Sequence, residues 1–304
     1  MKKNILKIVI AFVSVVFWFT GCEPEYTTYT GPNYIQFSDT LYEMPVVDDE
    51  AYFELPIVAT RACDYDRNIA VEVVDSASNA IEGKHYEIES NTVTIKAGEL
   101  RANVRVKGYH SSLEVSDSLG FRLQLIVPED AQWDIYNNTA NVLVKKACKF
   151  DINTFTGYCV VSSTYIMNFM SGVDNILAYS EVVPGEENTI IIKGYFYDGY
   201  DLKIKFDATD ISNPLIRMEE QRFASTSEAF GTLYGNGYIN VYQPTAYTSY
   251  FGSCEKFIFQ YMTLYVPGMD NSDSQTQMNT VGTFVNIVEW ISDDEAEKIK
   301  REGF

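Results

Sequence analysis

Between residues 34 and 146 apolar and polar side chains alternate in short runs, at residues 34–37, 51–58, 69–74, 92–95, 101–107, 120–127 and 141–145. In the third run Ile69, Val71 and Val73 fall on one side, Ala70 and Glu72 on the other; in the sixth, Phe121, Leu123 and Leu125 oppose Arg122 and Gln124. A period of two with one dry and one wet side is what a half-buried antiparallel strand requires. Seven or so such strands at this spacing predict a β-sandwich over residues 34–147.

From Phe155 onward the runs become longer and more aromatic. Residues 189–197 and 200–207 flank Asp198-Gly199, a pair suited to the positive φ of a two-residue hairpin turn. A second hairpin is predicted at Gly235-Asn236-Gly237, between residues 229–234 and 238–242. Residues 254–266 and 280–291 add two strands, separated by a polar loop over 268–279. Successive hairpins describe an antiparallel meander, closed as a barrel or folded as a sandwich, of which the barrel is favoured. The basic cluster Lys145-Lys146-Ala147-Cys148-Lys149 places the boundary between two β-domains, residues 34–147 and 150–304. At the end, Ser292-Asp293-Asp294-Glu295 forms a capping box that opens a short structural helix, with Lys298, Lys300 and Arg301 complementing its dipole. The fold class is all-β with a C-terminal helix.

The first 33 residues follow another pattern. Lys2, Lys3 and Lys7 precede an apolar run over residues 8–19, too short to span a bilayer, and Thr20-Gly21-Cys22 closes it. This resembles the signal peptide and lipobox of bacterial lipoproteins, with Phe19 where leucine is usual. The resemblance implies a signal peptide over residues 1–21, an acylated Cys22 as the only membrane anchor, and a Pro-containing tether over residues 22–33. Glu23 and Glu25 are similar to export signals of gut Gram-negative lipoproteins. They imply display on the outer face of the outer membrane, with the periplasmic face as the alternative.

Residues 80–86, 92–95, 97–99 and 104–106 resemble the Calx-beta module, so the first domain is expected to be an Ig-like, Calx-beta-like sandwich. His85 stands where that family carries aspartate. Calcium needs several converging oxygen ligands. Asp48, Asp49 and Glu50, or Asp64 and Asp66, can supply some, but solvated turns are the favoured reading. Phe155-Thr156-Gly157-Tyr158 is similar to the opening of lipocalin-like barrels, with Tyr158 in place of tryptophan. Taken together, the chain looks like a gut-bacterial lipoprotein with a Calx-beta-like domain followed by a domain of no assigned function.

Charge narrows the partners. With 42 acidic against 23 basic side chains, a net charge of −19, the chain repels phosphate backbones, and no nucleic acid is expected to bind. Besides Cys22 there are Cys63, Cys148, Cys159 and Cys254, with no CxxC and no nearby histidine. A zinc site has no support and no metal or cofactor is expected. The four cysteines can pair in three ways; buried free thiols are favoured.

No Walker loop, GxGxxG, GxSxG or HExxH occurs, and the two histidines, His85 and His110, fall in turns. Glu186-Glu187, Glu219-Glu220 and the loop over residues 270–273 are read as solvated. Three matches to a bacterial O-glycosylation pattern stand at Asp39-Thr40-Leu41, Asp75-Ser76-Ala77 and Asp117-Ser118-Leu119.

Aromatic residues make up 14% of the chain, with 22 Tyr and 18 Phe, and they crowd the second domain. If Phe196 faces the core, alternation sends Tyr195 and Tyr197 outward, and Tyr238, Tyr242, Tyr247 and Tyr250 join them as candidate ligand-stacking residues. The competing and favoured reading is that these rings are buried with only their hydroxyls reaching water. Two functions follow. One is a non-catalytic, lipid-anchored envelope protein that binds a glycan or a partner protein; the other is a hydrolase acting on extracellular polysaccharide, which would need convergent carboxylates in a cleft.

Overall fold

A computed structural model describes residues 29–132, 138–268 and 279–304. The expected signal peptide, Cys22, Glu23 and Glu25, and the loop over residues 270–273, lie outside the described residues.

The N-terminal half comprises β1 (Ile35–Phe37), β2 (Leu41–Val46), β3 (Tyr52–Ala59), β4 (Arg67–Val73), β5 (Tyr86–Ile88), β6 (Thr92–Ile95), β7 (Arg101–Gly108), β8 (Leu119–Ile126) and β9 (Thr139–Lys146). They form two sheets, ordered β1-β3-β7-β5 and β2-β9-β8-β4-β6. Leu55, Ile57, Val104 and Val106 of one sheet bury against Leu123, Leu125, Val142 and Ile95 of the other. Tyr86 stacks on Phe121 in their midst, ring centroids 3.9 Å apart.

Alternation did not predict β2. Its Leu-Tyr-Glu-Met-Pro-Val sequence carries a proline, and it lies at a sheet edge, where a missing ladder donor is tolerated. It is also the parallel partner of β9. At the start of the domain, Thr60 Oγ1 donates to the Pro32 carbonyl and Arg67 Nη1 to Asn33 Oδ1, so the end of the expected tether is held against the sandwich.

The C-terminal half comprises β10 (Gly157–Ser163), α1 (Thr164–Phe169), β11 (Ile176–Val182), β12 (Thr189–Lys193), β13 (Leu202–Asp207), β14 (Leu215–Arg217) and β15 (Gln221–Ser225). Then follow α2 (Thr226–Phe230), β16 (Tyr238–Tyr242), β17 (Tyr250–Gly252), β18 (Phe257–Val266), β19 (Asn279–Trp290) and α3 (Asp293–Glu302). Strand order runs β10, β11, β12, β13, β14, β17, β18, β19, and β19 pairs back onto β10. The barrel alternative is the one the chain adopts.

Long β18 has two neighbours on its other edge: β17 pairs with residues 257–259 and β16 with residues 263–265. The β15–β16 hairpin therefore leaves the ring, and side-chain amides bridge the opening. Gln221 accepts from the Lys203 N–H and donates to the Lys203 carbonyl, both at 2.9 Å. Gln243 does the same for Met218 N–H and Ile216 O, at 2.9 and 3.1 Å. Each amide stands in for a strand residue, satisfying backbone groups that would otherwise lack a partner.

Phe155, Phe206, Phe251 and Trp290 fill one part of the barrel, with ring centroids 4.6–5.6 Å apart. A polar network is embedded in the otherwise apolar interior. Gln260 accepts from Tyr195 Oη at 3.2 Å and Asn286 Nδ2 at 3.3 Å, and Asn286 in turn accepts from Ser163 Oγ.

Three local expectations change. Asp198-Gly199 does make a turn, with Tyr200 N–H donating to Tyr197 O at 3.1 Å and Gly199 at φ 82°, but the flanking strands stop earlier. Gly194, at φ 54° with its N–H on Asp201 Oδ1, breaks β12 and turns the chain inward. Residues 229–234 are not a strand, because Ser225 caps α2 by accepting from Glu228 N–H and Gly231 ends it in the left-handed region. The partner of β16 is instead β15.

The third change concerns the cysteines. Cys148 and Cys254 form a disulfide, 106 residues apart in sequence, that ties the segment after β9 to the loop before β18. The sequence alone favours free thiols for all four; among the described residues only Cys63 and Cys159 are free. Burial pushes the Cys159 thiol up to about 12, which leaves it unreactive. The C-terminal helix has its capping box as expected, and Lys300 Nζ lies 4.0 Å from the centre of the Tyr158 ring.

Candidate functional site

Strand β18 reads Phe-Ile-Phe-Gln-Tyr-Met from residue 257, and its alternation runs contrary to polarity. Ile258, Gln260 and Met262 point into the barrel, so Phe257, Phe259 and Tyr261 face outward. Gln260 is tolerated inside because the Tyr195, Asn286 and Met218 side chains satisfy it.

The outward rings are extended by β17 and the loop before it. Tyr250 lies directly opposite Phe259 and stacks on it, centroids 5.2 Å apart and planes 20° from parallel. Tyr247 stacks on Tyr261 in the same way, at 4.8 Å and 20°. The loop that carries Tyr247 is anchored by buried Ser249, whose Oγ accepts from Tyr261 N–H at 2.9 Å and whose carbonyl accepts from Ile216 N–H. Tyr247 remains 52% exposed and Tyr250 39%. Each therefore has one face held by a neighbouring ring while much of the rest stays open to water.

Phe257 closes one end of this strip, 6.0 Å from Tyr250. It lies close over Gly252, where a Cβ would come within 2.4 Å of its ring. At the other end Tyr247 borders a shallow depression of about 400 Å³ that Arg217, Gln243, Thr245 and Thr248 also line. Arg217 donates through Nε and Nη2 to Asp207 Oδ2. With Thr209, that pairing holds the Asp207 carboxyl down at about 2.

Of the six tyrosines singled out in the sequence, four share this outer sheet face. Tyr247 and Tyr250 belong to the strip. Tyr242 lies opposite Thr263 and packs against Tyr265, and Tyr238 has its ring covered by the Arg222 guanidinium at 3.9 Å. The other two are corrected. The inward turn at Gly194 leaves Tyr195 2% exposed inside the barrel, and Tyr197 is held by its hydroxyl 2.8 Å from that of Tyr165. Burial raises the Tyr195 phenol well above its ordinary value.

Sequence reasoning missed Phe257, Phe259 and Tyr261 as outward residues, along with Arg217 and Gln243. The alternation of aromatic and other residues in 257–262 was the available signal, but a glutamine in the buried phase disguised which side was outside.

The carboxylates behave differently. Glu186-Glu187 and Glu219-Glu220 meet across an open groove of about 800 Å³ that Lys203, Lys205 and Arg217 also line. Glu186 is paired to Lys203 at 2.6 Å and Glu220 is bonded to Tyr265 Oη and Asn240. Where carboxyl groups of the described residues are displaced from their ordinary range, at Asp48, Asp49, Asp66, Asp207, Glu295 and Glu297, the displacement is downward.

Of the carboxylates considered for calcium, Asp48 and Asp66 are already engaged by backbone N–H groups and lysines. Asp48 accepts from Glu50 and Ala51 N–H and pairs with Lys149; Asp66 pairs with Lys96 and accepts from Ala97 N–H. No cluster of three or more metal-ligating side chains occurs among the described residues. His85 is buried, and its Nδ1 accepts from Ile81 N–H at 3.0 Å. Desolvation lowers its pKa, so the neutral ring serves as the acceptor within that turn.

Residues 135–302 match the family described as a domain of unknown function, DUF4984. The chain belongs to that family. The matched DUF4984 region contains every aromatic residue of the strip. No curated protein matches the sequence. Among solved structures, a Bacteroides ovatus protein of unknown function is similar at 12% identity and a TM-score of 0.34, over 84% of this chain and 89% of its own. The apo form of the Calx CBD1 domain is similar at 14% identity and a TM-score of 0.32, over 38% of this chain and 98% of its own. A third, from Bacteroides ovatus and assigned only provisionally to carbohydrate binding, shows 13% identity and a TM-score of 0.31, over 84% of this chain and 80% of its own. These likenesses are too distant to bear on what the DUF4984 region does.

Proposed function

We propose that this protein is a lipid-anchored component of a bacterial cell envelope that binds a glycan on the outer face of its barrel. The observation that carries the reading is Tyr247, an exposed ring held by Tyr261 on one side and bordering a depression of mixed polarity that includes Arg217, Gln243 and Thr248. A flat ring offers an apolar platform to the C–H face of a sugar, and nearby amide, hydroxyl and guanidinium groups suit its hydroxyl rim. Because the rings are already stacked on one another, little side-chain freedom is lost on binding.

The envelope location rests on the N-terminal lipobox-like segment ending at Cys22. The Cys148–Cys254 disulfide supports it, since such bonds persist in oxidising compartments. Display on the outer face of the outer membrane is favoured by Glu23 and Glu25.

A glycan screen on the purified protein tests the binding. Sugar affinity in the micromolar to millimolar range is expected, lost in Tyr247→Ala with the circular dichroism spectrum unchanged. Binding that persists in the folded variant, or no binding across the screen, sinks the glycan reading. The anchor is tested separately: Cys22→Ala should move the protein from the membrane fraction to the soluble one, and its retention in membranes at wild-type level would refute acylation there.

A further inference from the structure

Resting on the glycan reading, we infer that the ligand is an extended, uncharged oligosaccharide lying along β18, contacted by several successive sugars rather than by one. The spacing of the rings carries this. Phe257, Phe259 and Tyr261 occupy alternate positions of one strand, so each outward ring stands roughly 7 Å beyond the last. Tyr250 and Tyr247 are stacked on the second and third of them. The two exposed platforms are thus separated along the strand by about one such step, a distance that a single pyranose ring does not bridge and a short chain does.

The ends of the strip differ, which gives the chain a start and a course. At the Tyr247 end the strip opens into the depression with Gln243 and Thr248, where a terminal sugar can exchange water for side-chain donors and acceptors. At the Phe257 end, Phe257 faces Glu289 directly across the β18–β19 ladder. The exposed Glu289 carboxylate stands beside the ligand's path, and Arg217 at the opposite end is already paired with Asp207. With a net charge of −19 over the whole chain, uronic or sulfated polymers are disfavoured and neutral chains are not.

The test is calorimetric titration of the purified protein with a neutral oligosaccharide series of one to five sugars, drawn from the polymer that binds in the screen. Affinity should rise at least about tenfold from one sugar to three and then level off. Tyr250→Ala should lower affinity for the trisaccharide roughly five- to tenfold while leaving the monosaccharide nearly unchanged, as expected for loss of one stacked contact. Tyr250→Phe should retain the length dependence, which separates ring stacking from a folding defect. Equal affinity for one sugar and three, with binding still abolished by Tyr247→Ala, overturns the extended chain but leaves a glycan site. Tighter binding of an acidic chain than of its neutral counterpart overturns the charge selection. No binding of any member removes both this inference and the reading beneath it.

Discussion

In the sandwich, β8 buries Phe121, Leu123 and Leu125 and turns Arg122 and Gln124 to the other side, where Arg122 reaches Asn141 Oδ1 at 2.8 Å. In the barrel, β18 buries Gln260 between Ile258 and Met262 and turns Phe257, Phe259 and Tyr261 outward. The two strands share a period of two and assign opposite chemistry to their faces. In the first case burial follows hydrophobicity alone. In the second, an interior amide is kept because a complete hydrogen-bond network receives it, and exposed rings are kept because they stack in pairs that reduce their contact with water. The barrel thereby presents an aromatic surface that the sandwich lacks on β8, and that contrast is the physical basis for the proposal that binding resides on the second domain.

The sharpest way to break the comparison is to truncate a ring on each side of it. Phe121→Ala removes a fully buried ring stacked on Tyr86 and should cost about 3–5 kcal/mol in urea unfolding of the sandwich. Phe259→Ala should cost about 1 kcal/mol or less, because its ring is only half-buried on the outer face. Similar losses at the two sites would mean that the outward strip is part of the core after all.

A smaller effect tests how the two regions are tied. Cys254→Ser opens a loop spanning 106 residues of sequence and should lower stability by about 2–4 kcal/mol, with wild-type protein falling to the same midpoint in reductant. If the variant and the oxidised wild type unfold at the same urea concentration, the bridge does not constrain the unfolded chain.

The smallest effect appears only at high pH and sets the interiors against each other. Burial raises the phenols of Tyr165 and Tyr195 in the barrel, and pushes Tyr86 in the sandwich up to about 12. Folded values above the ordinary value of about 10 mean that this contribution is complete below pH 10 and is lost as pH rises through the folded values. Both halves should weaken above about pH 10, the barrel more because its interior holds two of these phenols, Tyr165 and Tyr195, against Tyr86 inside the sandwich. Near-ultraviolet circular dichroism of the full chain during alkaline titration, with Tyr86→Phe reporting the sandwich share, measures the order; earlier loss of the sandwich would contradict it.

Much of the fold could be read locally. The runs that became β4, β7 and β8 alternate cleanly because each has one wet side, and Ser292 with Glu295 made the last helix recognisable from four residues. By contrast β2 carries Pro45 and gains its partner from β9 across the whole domain, and α2 was hidden because the Ser225–Glu228 cap starts a helix that runs into the strand expected over residues 229–234. The candidate site was half legible. The crowding of tyrosines pointed to the right domain, and Tyr247 and Tyr250 are in the strip, but Tyr195 and Tyr197 required knowing that Gly194 turns the chain into the barrel.

The sequence by itself determined the all-β character, the turn at Asp198-Gly199, the capped C-terminal helix and the alternation of residues 257–262, because each depends on neighbours only a few positions away. Tertiary structure alone decided that Cys148 meets Cys254, that the Gln221 and Gln243 amides bridge the place where the β15–β16 hairpin leaves the ring, and that Gln260 goes in while Phe259 and Tyr261 go out. Those outcomes depend on partners tens of residues away. A side chain's preference for the interior is set by whether such partners satisfy it there, and its own polarity does not reveal that.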